Sequence, residues 1–269
     1  MEIIEDSWTC QYGKEKLQMV HHVLWEMYVL ISDIFDKHGI TYFLSYGSML
    51  GALRHNGFIP WDDDFDICVM QDDYTRAIKI LQDHLPKDKY IVHNKESDSI
   101  YWLDYTKIRF LHSKVYCALW PDDDKLKYRG ICLDIFRCWE ESQSRYTNKC
   151  KQCRQSVLWY RTQLRHVKHS FLHESRLIMG LLYNRLKLCC YSLLDMIAPR
   201  KQVFIMDPED IAKPFDSKLL FPLNKVLFNG RACPVPYKAT DILQNQYGEW
   251  QELPAVKKRT SHFQNVEIW

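Results

Sequence analysis

The chain has no stretch of about 20 apolar residues free of charge, which is what a transmembrane helix requires. Its longest apolar-rich run, "LIMGLLYNRLKLCCYSLLDMIA" (177–198), is broken by Arg185, Lys187 and Asp195, and it reads as a buried or interfacial helix. The N-terminus, "MEIIEDSWTC", is acidic and lacks an apolar core segment, so no cleaved signal peptide is expected. There is no internal repeat and no low-complexity linker. Neither sign of charge dominates: 269 residues carry a net +2, so no global electrostatic argument points to nucleic acid. Cysteine is not scarce. In a chain with ten of them and no export signal, reduced thiols and a cytoplasmic setting are the expectation. "CKQC" (Cys150, Cys153) and the Cys189–Cys190 pair would together offer four zinc ligands. Their spacing fits no common zinc module and both pairs lie in helical patterns, so packed thiols are the preferred reading.

What is present is ordinary globular composition, 46% hydrophobic and 26% charged. Residues 14–38 predict a helix: Leu17, Val20, Leu24, Met27, Ile31, Ile34 and Phe35 recur at three- and four-residue spacing, and Gly39 suits the C-terminal cap. "ITYFLSYG" (40–47) and "DFDICVM" (64–70) predict strands, and "DDYTRAIKILQDHL" (72–85) predicts a helix capped by Asp72 or Asp73. "KYIVHN", "SIYWLDYTKIRFL", "KVYCALW" and "RGICLDIFRCW" predict further strands, rich as they are in aromatic and β-branched residues. Residues 142–197 turn helical and basic; "FNGRACPVP" carries an Asn-Gly hairpin signal at 229–230, and 239–248 is a short helix ending in glycine. The expected fold is α/β (α+β), a mixed-sheet core with flanking helices. Its expected parts are 1–141 and 201–269 of one catalytic domain, with a basic helical insertion at 142–200.

The informative stretch is "YGSMLGALRHNGFIPWDDDFDICVM" (46–70), with Asp62, Asp63, Asp64 and Asp66 inside five residues. On a strand, residues two apart share a face, so Asp64 and Asp66 project together while Phe65 and Ile67 enter the core. Paired carboxylates suit Mg²⁺, which takes one or two of them and completes its shell with water and phosphate. Gly47-Ser48 follows an apolar strand, where a small turn lets amides approach a phosphate. Asp134, in "LDIF", is a further carboxylate on an apolar strand. A surface acidic turn begun by Pro60 is the plain alternative, but Asp66 and Asp134 sit inside apolar runs, where an unpaired charge is costly. An apolar strand ending in Gly-Ser, then Asp-x-Asp, then a lone Asp on a later strand resembles the nucleotidyltransferase fold.

"YFLSYGSMLGALRHNGFIPWDDDFDICVMQDDY" also resembles the hallmark block of the LicD family of phosphocholine transferases, which is related to fukutin and fukutin-related protein. "YTKIRF", "RGICLDIFRCW" and "FNGRACPVP…YGEWQELP…RTSH" extend the resemblance over most of the chain except about 142–200. One departure is "DIFRCW", where the family often has proline after the phenylalanine, and it bears on local loop shape. The resemblance implies transfer of an alcohol phosphate, commonly phosphocholine from CDP-choline, onto a sugar hydroxyl of a bacterial surface glycan, with release of CMP. It implies Mg²⁺ (or Mn²⁺) on Asp64, Asp66 and Asp134, with Asp62 as the first acid of the block. Asp62 and Asp134 are both candidates for the base. Arg54, His55 and Lys107 are candidate phosphate contacts, although a lone basic residue on a strand is often only an edge residue. Trp61 either stacks on cytosine or packs its loop. Trp102 and Trp120, with Tyr101, Tyr105 and Tyr116, are candidates for an aromatic cage around a quaternary ammonium. A ribitol or glycerol phosphate donor, plain nucleotidyl transfer and a non-catalytic glycan-binding module remain the competing readings. The basic helical stretch is either a solvated face or a contact with the inner face of the cytoplasmic membrane, toward a lipid-linked acceptor.

Overall fold

The computed structural model describes residues 8–117, 125–166, 171–208 and 213–269. Its elements run α1 (Lys14–His38), β1 (Tyr42–Leu44), α2 (Tyr46–His55), β2 (Phe65–Met70), α3 (Gln71–His84), β3 (Tyr90–His93), β4 (Thr106–Phe110), β5 (Ser113–Cys117), β6 (Cys132–Ser144), α4 (Thr147–His166), α5 (Phe171–Ile197), β7 (Arg200–Met206), β8 (Phe215–Asp216), β9 (Asn224–Phe228), β10 (Arg231–Val235), α6 (Ala239–Tyr247) and β11 (Phe263–Ile268). Two units follow from the packing: residues 1–139 with 204–269, and residues 140–203. The chain leaves the first unit within β6 and re-enters it within β7.

The first unit is a mixed α+β fold. Its sheet runs β1-β2-β6-β4-β3, with β7 on β6 and β8 on β7. The β2–β6 pair is parallel; β1–β2, β6–β4 and β4–β3 are antiparallel. α1 covers the core with its apolar stripe, including Leu17, Val20, Leu24, Met27, Ile31 and Phe35, all buried, and packs against α3. It ends where predicted: Gly39 adopts φ 64° and its N–H returns to the last turn, a conformation that costs glycine least. Phe65, at the start of β2, meets Tyr28 of α1 (ring centroids 4.8 Å apart) and Phe228 of β9 (5.2 Å). The Asn-Gly signal makes the β9–β10 hairpin, with Asn229 at φ 47° and Gly230 at φ 80°, a pair of left-handed residues that suits a two-residue turn.

Three local expectations are corrected. The strand expected over 40–47 stops at Leu44, and Gly47-Ser48 belongs to the first turn of α2 instead of a loop. The residue before α3 is Met70, so Asp72 and Asp73 lie inside its first turn, where the helix dipole favours acids. Residues 99–105 of the expected "SIYWLDYTKIRFL" strand form no strand, and pairing begins at Thr106.

The second unit is a pair of packed helices, α4 and α5. Gly180 of α5 lies against Tyr160 of α4 so closely that a Cβ there would come within 2.5 Å of the ring. Cys150 and Cys153 are buried in α4, whereas Cys189 and Cys190 are exposed on α5. α5 is not a buried helix: of its residues Leu177 alone is buried, which leaves the interfacial reading of this run.

Candidate active site

Sheet register builds the centre of the site. Asp66 on β2 pairs with Asp134 on β6, and Asp134 pairs with Lys107 on β4. Residues directly opposite on neighbouring strands point to the same face, so two carboxylates and an ammonium stand in one row. Lys107 Nζ lies 2.7 and 2.6 Å from the two Asp134 oxygens. Burial opposes the charge on Lys107, but the Asp134 carboxylate overcomes it and holds the ammonium well above the usual lysine range.

Asp66 is fixed by its own backbone. Its N–H donates to Ser48 Oγ at 2.7 Å, and its carbonyl accepts from Ser45 N–H at 3.1 Å. Both serines flank a sharp strand-to-helix elbow at Tyr46, whose φ is 41°. A non-glycine residue in that region is uncommon and costs energy, so the elbow is held by what surrounds it. Gly47 follows directly. A Cβ there would lie 2.8 Å from Asp62 Oδ2, 3.7 Å from Asp66 Oδ2 and 3.8 Å from Asp64 Oδ1. Three carboxylates thus converge over the N-terminal turn of α2, and only glycine leaves them room.

Burial raises the Asp62 and Asp66 carboxyls well above the usual range, and the charge of Asp64 adds to both shifts; Asp64 is raised as well, first by burial. Such a cluster calls for a cation. His262, 200 residues away at the foot of β11, brings one. Its Nδ1 lies 3.4 Å from Asp62, 3.1 Å from Asp63 and 3.5 Å from Asp64. The hydrogen bond to Asp63 and then the charges of Asp64 and Asp62 raise its imidazole to about 10, against the opposing effect of burial. Ligand atoms of Asp62, Asp64 and His262 all fall within 4.8 Å of one another. The donor set is therefore mainly hard oxygen, and the residues fit a divalent cation such as Mg²⁺. The expected ligand Asp134 differs from the others, because Lys107 occupies both its oxygens.

Asp63 does something else. It is fully buried, accepts from Tyr12 Oη (3.0 Å) and from the backbone N–H groups of His262 and Phe263 (both 2.9 Å), and so ties β11 and the segment before α1 to the acid loop.

A cleft of about 550 Å³ opens over these groups, within the range of small-molecule sites. Gly47, Trp61, Asp62, Asp64, Asp66, Trp102, Tyr105, Lys107 and Asp134 line it, and so do Tyr46, Phe136, Tyr247 and His262, which the sequence alone did not single out as site residues. His262 did stand in the quoted "RTSH" block; Tyr247 likewise stood in "YGEWQELP". Ser48 acts behind the cleft through Asp66. Arg54 and His55 are not among the lining residues. They sit in the last turn of α2, not in a loop, where Arg54 donates to His55 Nε2 (2.9 Å) and to the Trp250 carbonyl (2.8 Å). Arg54 thus secures the C-terminal segment, and His55 orients Arg54. Trp61 is buried, with His55 edge-on at 6.3 Å and the Arg259 guanidinium over its ring at 5.6 Å, which is loop packing with one edge on the cleft. Trp102 is 42% exposed at the rim. Tyr101 is buried with its hydroxyl on the Tyr105 carbonyl, and Tyr116 bonds Glu267, so neither enters a cage. Trp120 lies outside the described residues. At the departure in "DIFRCW", Arg137 makes a two-pronged ion pair with Asp207 (2.6 and 2.9 Å).

A mixed sheet, a strand-to-helix elbow carrying Gly-Ser, and carboxylates on adjacent parallel strands together define a protein of the nucleotidyltransferase type. The chain belongs to the family described as LicD/FKTN/FKRP, nucleotidyltransferase domain, whose profile matches residues 39–177, half of its length. The match includes α4 and ends at Leu177, before the C-terminal blocks that supply Tyr247 and His262. Lipopolysaccharide cholinephosphotransferase LicD of Haemophilus influenzae is 44% identical over 45 residues, 17% of this chain and 17% of that protein. An uncharacterized protein of Rickettsia typhi is 39% identical over 72 residues (26% and 23% of the two chains), and one of Rickettsia prowazekii 41% over 58 (20% and 22%). The matched segments thus span less than a quarter of each relative.

Proposed function

We propose that the protein transfers phosphocholine from CDP-choline to a sugar hydroxyl of a surface glycan, releasing CMP. The observation that supports this best is the convergence of Asp62, Asp64 and Asp66 beside the Asp134–Lys107 pair in one cleft. Attack at the phosphorus that bears the alcohol puts charge on phosphoryl and leaving oxygens, so positive charge is the main requirement. Asp62, Asp64 and Asp66 would hold a divalent cation such as Mg²⁺, which would supply that charge. Lys107 adds a fixed ammonium, shared between Asp134 and the donor phosphate. Lys107 grips both Asp134 oxygens, so of the two candidates Asp62 is the base for the acceptor hydroxyl, through the carboxylate oxygen that a cation would leave free.

The head group of choline offers no hydrogen-bond donor, and aromatic faces bind such cations. Tyr105 already accepts one, the Lys107 ammonium at 5.3 Å from its ring centre. Tyr105, Trp102 and Tyr46 form the aromatic side of the cleft that we assign to the head group. The named relative is a lipopolysaccharide cholinephosphotransferase, which supports phosphocholine as the group transferred.

The test is incubation with Mg²⁺ and, in turn, CDP-choline, CDP-ribitol and CDP-glycerol, with and without candidate glycans. CMP release that needs the acceptor and is fastest with CDP-choline supports the reading. Pyrophosphate release from a nucleoside triphosphate points to nucleotidyl transfer instead, and no turnover with any donor points to a binding module.

A further inference from the structure

The second unit differs in charge and surface from the rest of the chain. Residues 140–203 hold twelve Lys and Arg but four Asp and Glu, a net of +8, while the remaining residues, with 24 against 30, stand at −6. α4 contains no acidic residue at all.

α5 exposes an apolar stripe. Leu172, Met179, Tyr183, Leu186, Cys190, Leu193 and Ile197 follow one another at spacings of seven, four, three, four, three and four, so they share one face of the helix. All of them are exposed, Ile197 by 82% and Leu186 by 66%. The opposite face, with Leu177, Gly180, Leu181 and Leu188, is the one turned to α4. At 100° per residue, Arg176 and Lys187 fall on one border of the stripe; on the other side the exposed Leu182, Ile178 and Met196 widen it as far as Arg185, which also lines the groove toward α4. An apolar stripe with basic borders is the pattern of a helix lying in a membrane interface.

α5 is also long and apolar enough to cross a membrane, with only 6% of its most apolar window buried. Its partner argues against a crossing. α4 packs along α5 and carries Lys149, Lys151, Arg154, Arg161 and Arg165. A spanning α5 would take its own Arg185 and Lys187 and part of α4 into hydrocarbon, where each charge near the centre is costly. A second copy of the chain is the other occupant to consider. Pairing two such faces would bring two units of +8 together, which self-repulsion opposes.

We propose that α5 lies flat in the interface of a membrane containing anionic lipid. The stripe from Leu172 to Ile197 enters the acyl boundary, and Arg176, Arg185 and Lys187 sit among acidic headgroups. This does not rest on the transfer reaction, and its test uses no donor or acceptor.

The full chain is floated with vesicles of phosphatidylcholine alone and of phosphatidylcholine with phosphatidylglycerol. The wild type should bind the anionic vesicles and scarcely the neutral ones. Arg176→Gln with Arg185→Gln and Lys187→Gln should weaken that binding roughly a hundredfold, about fivefold for each charge. Leu186→Glu with Leu193→Glu should weaken it at least tenfold, with circular dichroism and melting unchanged because both side chains are exposed. Failure of the wild type to float, or equal binding by either variant, overturns the proposal. So does a wild-type dimer in the ultracentrifuge that the glutamate variant converts to monomer, which would assign the stripe to a second copy. Resistance of the bound protein to alkaline carbonate would also overturn it, in favour of a span.

Discussion

The cleft holds carboxylates out of water, while α5 holds leucine and isoleucine in it. Each region inverts the usual division in which charge lies outside and hydrocarbon inside. The cleft draws Asp62, Asp64 and Asp66 together, and burial with neighbouring carboxylates raises all three carboxyls. α5 spreads an apolar stripe whose members pack against nothing among the described residues that buries them. Neither arrangement serves the stability of the isolated chain, and each is what the proposed ligands would offset: a cation and phosphates in one region, an apolar interface in the other. α1 is the control. It is nearly as long as α5, 25 residues against 27, and it buries its stripe.

The sharpest break of this comparison is at Asp63, the one acid of the loop that faces the core. Asp63→Ala should cost about 3–5 kcal/mol in urea denaturation, because Tyr12 and two backbone N–H groups lose a buried charged acceptor. If its effect is no larger than that of Asp62→Ala, the distinction between a structural and a cleft-facing acid is wrong. Next is Asp66→Asn. It should cut CMP release by about 10²–10³-fold, the scale of losing one element of charge stabilisation, while the metal-free protein melts no lower than the wild type. A lower melting temperature with normal turnover would make Asp66 a packing residue.

A smaller effect separates the cleft by pH. The His262 imidazole, raised to about 10, keeps its proton in the folded protein where the unfolded chain loses it near 6.5. The stability that this proton contributes is complete below about 6.5 and disappears as pH rises toward 10. The melting temperature of metal-free wild type should therefore fall over that window more steeply than that of His262→Gln. Parallel curves would show that His262 is not charged in the fold. The smallest effect is in α5: Leu186→Ala should change stability by less than about 0.5 kcal/mol, where Leu24→Ala in α1 should cost about 2–5. Equal losses would mean that α5 is covered in solution.

Much of this was legible locally. The three- and four-residue spacing of 14–38 and the Gly39 cap gave α1 its limits, Asn229-Gly230 gave the hairpin, and the alternation of Asp64 and Asp66 with Phe65 and Ile67 gave that segment its two faces. That same parity places Asp63 with Phe65 and Ile67, on the core side. The end of β1 was less legible, because the apolar run "YFLSYGSML" continues without a break from strand into helix. Period could not mark the elbow; the paired hydrogen bonds of Ser45 and Ser48 to Asp66 do.

The sequence by itself determined which residue types could assemble a metal and phosphate site, and that Asp66 and Asp134 lie on strands, because strand periodicity and the cost of an unpaired charge act within a few residues. Only the tertiary structure decided which groups meet. Lys107 answers Asp134 through strand register, His262 comes from 200 residues away to the acid loop, and Arg54 is taken by the Trp250 carbonyl instead of a phosphate. These contacts join segments far apart in the chain, and nothing in the local sequence encodes a distance that only the closing of the sheet and the docking of β11 on β5 create.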